Sequence, residues 1–368
     1  MRSAAGLGLA LVLVAGAGPG DDTVEATRGP YLQSGATSSV LVVFHTGRRC
    51  RGLVEFGRPP ALDRRATGGT GTRHVVGLTG LEPATRYDYR VGCDGERASG
   101  PWSFTTYPDG PAPFTFAVLG DSGTGSEAQR AVARLIEGWA PALVLHVGDL
   151  IYGRNPLAWD ARFFLIYRAL LAGRPFYPVP GDNDVSIFMG WGALFDRAFH
   201  LPANNPERDE RYYSFDVGDV HFVALDSTRL ADTDRRAAML AWLEDDLRAH
   251  GRRFTVVFMH HPPYSAGLHH GSDRLAREHL APVFERHGVD LVLSGHDHHY
   301  ERTHPVRGVV YVVTGGGGAR LRGVAPQPFT AYAEPAHHAV RVDVGEDRLR
   351  LRAVRPDGRV MDEATVEP

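Results

Sequence analysis

The chain contains no lysine; all 40 of its basic residues are arginine. The glycine run Gly315–Gly318 therefore has no lysine behind it, nor a clear helix start. That excludes the phosphate cradle of a P-loop and leaves a strand-end turn. An excess of either charge is also missing. Against 43 acidic residues the formal net charge is −3, which offers neither a basic surface for nucleic acid nor an acidic solvating tail. Cysteine is scarce: Cys50 and Cys93 are alone, and neither sits in a C-x-x-C pair that would suggest a metal or redox motif. Long apolar runs are absent as well. The run Ala4–Ala15 falls short of the ~20 residues a bilayer span needs, and nothing later is longer. No repeat of solenoid type is visible.

What is present suits a soluble globular protein: 368 residues, 43% hydrophobic and 23% charged, enough for about two domains. Met1-Arg2, the apolar run and Ala15-Gly16-Ala17 together have the form of a secretory signal over residues 1–20, with cleavage near Ala17 to Gly20. The expected protein is exported, periplasmic or extracellular. No cysteine follows the run to carry a lipid. In an exported chain a lone cysteine pair favours a disulfide.

Residues 24–107 read as all-β. Val40–Thr46, Gly52–Phe56, Arg73–Leu78, Tyr87–Val91 and Trp102–Thr105 are short runs rich in Val, Tyr, Phe and Thr, separated by turn residues, which predicts a β-sandwich. Residues 108–113 are a linker by composition. From 114 to 368 strands alternate with helices. Helices are expected at Ser126–Gly138, capped by Thr124 or Ser126, and at Pro156–Leu171. Two more are expected at Thr233–His250, capped by Asp232 or Thr233, and at Ser272–His287, perturbed at Pro282. Strands return at Val309–Val313, Ala339–Val344, Arg348–Val354 and Val360–Thr365, the last two joined by the hairpin signal Asp357-Gly358. This is a layered α/β pattern.

Five strand-like runs end in metal-ligand chemistry. Phe114–Leu119 leads to Gly120-Asp121, and Ala142–Val147 to Gly148-Asp149 with Tyr152 close behind. Phe176–Val179 leads to Gly181-Asp182-Asn183-Asp184, Phe254–Met259 to His260-His261, and Val289–Leu293 to Gly295-His296-Asp297-His298. Open α/β sheets bind ligands at the carboxyl ends of their strands, so these blocks predict one shared site. Carboxylates and imidazoles suit first-row metals, and a phenolate favours a hard ion of high charge.

In order and in content the five blocks resemble those of the metallophosphoesterases, and Tyr152 narrows the resemblance to the purple acid phosphatases. Tyr212-Tyr213-Ser214-Phe215, Tyr300-Glu301-Arg302 and Tyr332-Ala333-Glu334-Pro335 are similar to further stretches of that family. Leu81–Tyr89 resembles the corner of fibronectin type III domains, as in the two-domain members. That arrangement would lay the start of the Gly52 strand beside the end of the Tyr87 strand and bring Cys50 to Cys93. The resemblance implies a fibronectin type III-like sandwich ahead of a layered α/β metallophosphoesterase domain. One metal, Fe(III), would take Asp121, Asp149, Tyr152 and His298. A second, Zn(II), Mn(II) or Fe(II), would take Asp149, Asp182, His260 and His296. A hydroxide at the metals would attack a phosphomonoester in line, with His269 and His270 contacting substrate.

The third block departs from the family, whose usual reading there is Gly-Asn-His. Asp182 is anionic where Asn is neutral. Asn183 stands where a histidine contacts substrate or protonates the leaving group, and an amide cannot transfer that proton. A phosphodiesterase acting on nucleotide-like substrates, or a weakened phosphate- or metal-binding protein, are the alternatives this departure opens. His261, Asp297 and His299 read as neighbours of the ligands or exposed residues, and His337 and His338 as surface or rim residues.

Overall fold

A computed structural model describes residues 23–24, 26–153, 158–185 and 192–368. The expected signal segment, and the start of the helix expected from Pro156, lie outside the described residues.

The N-terminal part is all-β, as expected. Strands Ala26–Gln33, Ser39–Gly57, Arg64–Thr79, Arg86–Cys93 and Arg97–Thr105 close over a core that includes Leu32, Val42, Phe44, Val54, Phe56, Tyr87, Tyr89 and Phe104. The runs at Val40 and Gly52 belong to one strand. Its register against the next strand shifts between His45 and Cys50, so the exposed Arg48-Arg49 stretch is a bulge and not a turn. Ala26–Gln33 went unanticipated because it contains Gly29-Pro30 and buries only its second half. Gly52 pairs with Cys93 in antiparallel register, and Cys50 and Cys93 form a disulfide across a Cα–Cα distance of 5.8 Å. Cross-linking a separation of 43 residues contributes about 4 kcal/mol by the loop-closure argument. At the corner, the Tyr87 hydroxyl accepts from the Glu82 N–H at 3.0 Å.

The remainder packs two mixed sheets face to face with helices outside. One has the strand order Val360–Val366, Leu349–Val354, Ala339–Val344, Phe114–Leu119, Leu143–His146, Phe176–Pro178. The other runs Tyr213–Val217, Val220–Ala224, Phe254–Phe258, Leu291–Ser294, Val310–Thr314, Tyr300–Thr303, Thr330–Glu334. The strands that lead to the five blocks are parallel within each sheet and buried, apart from Phe114 and Thr115 at the start of the first, which matches their largely apolar sequences. Phe116 of one sheet meets Phe222 of the other edge-on at 5.2 Å.

Helix Glu127–Trp139 is capped by Ser126, whose side chain accepts from Gln129 N–H, and helix Thr233–Ala249 by Asp232. The helix expected from Ser272 has Asp273 at its start, accepting from Ala276 N–H at 2.7 Å. Its turn Ala276–Leu280 is widened ahead of Pro282, which has no N–H to give. Between Pro156 and Leu171 the described part is likewise broken, into a wide turn Asp160–Phe164 and a short helix Arg168–Gly173.

The sandwich grips the strand that carries the third block. The Gln33 amide donates to Phe176 O at 2.9 Å, and the Tyr177 hydroxyl to Gly35 O at 3.1 Å. Arg28 forms a two-pronged ion pair with Asp160 at 2.5 and 2.7 Å, and Tyr89 donates to Ala172 O.

Candidate metal centre

All five blocks arrive at one place. Asp121, Asp149 and His296 take left-handed backbone angles (φ 55°, 54° and 70°) in the turns just past their strands. Such non-glycine conformations cost energy and persist where the surrounding structure enforces them, commonly at functional sites. Small neighbours let the side chains approach. A Cβ on Gly148 would lie 2.5 Å from His260 Nδ1, and one on Gly295 would lie 2.4 Å from Asp121 Oδ2. Gly317 N–H donates to Gly120 O and Ala319 N–H to Asp121 O, so the glycine run is a strand-end turn laid against the first block.

The acids and the phenol come from one sheet, the imidazoles from the other. On one side, the Tyr152 hydroxyl donates to Asp121 Oδ1 at 3.1 Å and lies 3.0 Å from His298 Nε2. On the other side, His296 Nδ1 lies 3.2 Å from His260 Nε2 and 3.4 Å from Asp182 Oδ2. Asp149 stands between them, 3.7 Å from His260 Nε2. Two sets, Asp121 with Asp149 and His260, and Asp182 with His260 and His296, each offer ligand atoms within 4.8 Å of one another. His260 Nδ1 is 2.9 Å from Val147 O and His298 Nδ1 is 2.8 Å from Arg320 O. Each ring thus spends its Nδ1–H on a carbonyl and turns its Nε2 into the site. That is how metal-binding histidines are held.

The charge balance also fits a cation. Asp121 and Asp149 are buried, and among the described residues the only basic groups within ion-pair distance of them are imidazoles. Burial raises the Asp149 carboxyl above its ordinary range, opposed by His260 and reinforced by the Asp121 charge. Burial alone would lower His260, but the charges of Asp149, Asp121 and Asp182 carry it up to about 9. Unneutralised negative charge in a buried site is costly, and bound metal ions relieve it.

Asn183 is joined to the second block. Its backbone N–H and its side-chain amide both donate to Asp149, at 2.9 and 2.6 Å, and so pin that carboxylate. The buried Asp184 was missed as a contributor. It accepts the N–H groups of Gly181, Leu150 and Ile151, tying the second block to the third, and burial together with the Asp149 charge pushes its carboxyl up to about 8. An acid two residues past a ligand was the available signal.

His269 and His270 lie on an exposed loop, where the His270 ring lies tilted over His296 with centroids 3.9 Å apart and His269 abuts His270. Asp297 is fully buried and holds that loop, accepting from Ser265 Oγ, His270 N–H and Gly271 N–H. His299 is buried beside Glu301. His338, expected at the surface, is fully buried with Nε2 against the Thr314 hydroxyl, while His337 remains partly exposed.

Residues 114–300 match the calcineurin-like phosphoesterase family, and residues 24–106 the N-terminal domain of purple acid phosphatases. Purple acid phosphatase 21 of Arabidopsis thaliana is 31% identical over 333 residues, 81% of this chain and 72% of that one. The chain belongs to the purple acid phosphatases. Purple acid phosphatase 22 of the same plant is 30% identical over 327 residues, 79% of this chain and 73% of that protein. The structure of a purple acid phosphatase from yellow lupin (Lupinus luteus) seeds superposes with a TM-score of 0.81 at 19% identity, covering 93% of this chain and 75% of that one. The protein is therefore a metal-dependent phosphatase of the binuclear kind. No helix among the described residues is long and apolar enough to cross a membrane.

Proposed function

We propose that this purple acid phosphatase hydrolyses small phosphate monoesters, as an exported enzyme, with Fe(III) in one half of its centre and Zn(II), Mn(II) or Fe(II) in the other. Asp121, Asp149, Tyr152 and His298 would hold the first ion, and Asp149, Asp182, His260 and His296 the second. Bound there, two such ions supply Lewis acidity and lower the pKa of coordinated water. The observation that carries this reading is the convergence of inward imidazole nitrogens, fixed by carbonyls at their other edge, on buried carboxylates from the facing sheet.

The chain's own residues do the rest. Asp184 and Asn183 hold the Asp149 turn, so the shared carboxylate is placed before substrate arrives. The His269-His270 loop, fastened by Asp297, stands over His296 where a substrate oxygen would leave. One of these two imidazoles supplies the proton that Asn183 cannot. With a trivalent and a divalent ion, the four anionic ligands leave about one positive charge, where an asparagine at 182 would leave about two. A more modest pull on phosphate dianions follows. Phosphodiesters, with one charge fewer and less need of acid help, are a second reading, favoured by the engagement of Asn183 with Asp149.

The deciding experiment is purification with iron and zinc or manganese present, followed by metal analysis, a visible spectrum and parallel assays on a mono- and a diester. Two metals per chain, a tyrosinate-to-iron absorption band and faster monoester turnover are expected. Two metals without turnover on either ester would sink the reading.

A further inference from the structure

His261 follows a proposed ligand directly in sequence but faces a different partner. Its Nε2 lies 3.2 Å from Asp182 Oδ1, and its Nδ1 lies 2.8 Å from Ser227 Oγ. The same hydroxyl accepts the backbone N–H of His261 at 3.0 Å. Ser227 is itself buried, in the short turn Ser227–Arg229 capped by Asp226. His261 is thus clamped at ring and backbone by one residue, and its free edge is aimed at the carboxylate.

The hydrogen positions follow from what each group can do. An ionised carboxylate only accepts, so the proton between Nε2 and Oδ1 belongs to the imidazole. A neutral ring then has a bare Nδ1, which needs a donor. Ser227 can be that donor, because its lone pair already serves the His261 N–H. One arrangement satisfies every polar atom in the chain from Ser227 through His261 to Asp182. It leaves Asp182 with its other oxygen, Oδ2, directed at His296 Nδ1 and 3.4 Å from it.

We infer that His261 is a positioning residue matched to Asp182, holding Oδ1 so that Oδ2 alone serves the second ion. This rests on the binuclear reading above. Asp182 needs such a partner because half its side chain is exposed, whereas the side chains of His261 and His296 are 13% and 14% exposed. An asparagine at 182 would not fit the same surroundings. With its oxygen toward the ion, its NH₂ would face the Nε2–H of His261, donor against donor. Relief would require the other imidazole tautomer, which leaves the Ser227 hydroxyl proton without its acceptor. The identity of residue 182 is thus coupled to that of residue 261.

The test is calorimetric titration of metal-free, full-length protein with Zn(II), with thermal melting of each metal-free variant as a check on folding. Wild type should take two ions per chain. His261→Phe should weaken the weaker site about 10–100-fold, the usual effect of losing a group that orients a ligand, and leave the tighter site alone. His261→Gln places an amide N–H near the position of Nε2 and should stay close to wild type. Asp182→Asn should weaken the same site. In the double variant Asp182→Asn, His261→Phe, the loss should be smaller than the product of the single losses, because no donor then opposes the amide. Wild-type affinity in His261→Phe overturns the inference, and so does a Gln variant as weak as the Phe one. Should His261→Phe not fold, His261→Ala, which also removes the donor to Asp182, takes its place under the same criterion. A wild type that binds fewer than two ions overturns the binuclear reading itself, which is a different result from two ions bound indifferently to residue 261.

Discussion

The two halves of the centre are built alike in chemistry and unlike in exposure. The half around Asp121, Tyr152 and His298 is enclosed: Asp121 is fully buried, and the Gly317–Ala319 turn closes over the block that carries it. The half around Asp182, His260 and His296 is open on one side, with Asp182 half exposed and the His269-His270 loop as its rim. An enclosed carboxylate meets little competing water, so an ion there should be held tightly. An ion beside Asp182 shares its surroundings with solvent and should exchange and meet substrate. The comparison assigns retention to one half and turnover to the other.

The largest blow to it should come from Asp149→Ala, because Asp149 stands between the two halves and is proposed to serve both. Turnover should fall by on the order of 10³-fold, the equivalent of several kcal/mol of lost charge stabilisation, and dialysed protein should lose both metals by elemental analysis. One metal retained with near-normal turnover would mean the halves are not joined through this residue. His270→Ala tests the open rim. Rates on esters with poor leaving groups should drop about 10²-fold while activated esters are little changed, giving a steeper dependence on leaving-group pKa. An unchanged slope would remove His270 as the proton source. Tyr152→Phe confines the damage to the enclosed half: the visible band should vanish, the second ion should stay, and turnover should fall about tenfold, in keeping with the loss of one bond to a charged group. Smallest is the effect of Asp182→Asn on product inhibition. Removing one negative charge a few ångströms from bound phosphate should lower its inhibition constant about fivefold at low salt, and no change would refute the charge argument.

Much of this was legible in the sequence because the signals are local. Asp121, Asp149, Asp182, His260, His296 and His298 each sit just past an apolar run, and strand Ala339–Val344 has the limits its alternation predicted. The disulfide followed from two cysteines and a corner motif. The bonds that were not legible join partners far apart in the chain. Asn183 meets Asp149 from 34 residues off and Asp297 meets the His270 loop from 27, and no periodicity encodes either bond. His338 is a polar residue in a polar-looking stretch, buried only because Thr314 of a neighbouring strand supplies a hydroxyl. The joined strand Ser39–Gly57 was hidden by its bulge, whose arginines mimic a loop.

The division of ligands between the two sheets has a consequence for how the molecule matures. One sheet brings only acids and a phenol, the other only imidazoles, so neither layer is a competent receptor by itself. Ions held by residues of both sheets, as proposed above, would act as rivets that can be driven only after the layers have been brought together in register. Metal uptake is then a form of proofreading: a chain whose sheets have not docked has nowhere to load, and a loaded chain certifies that they have.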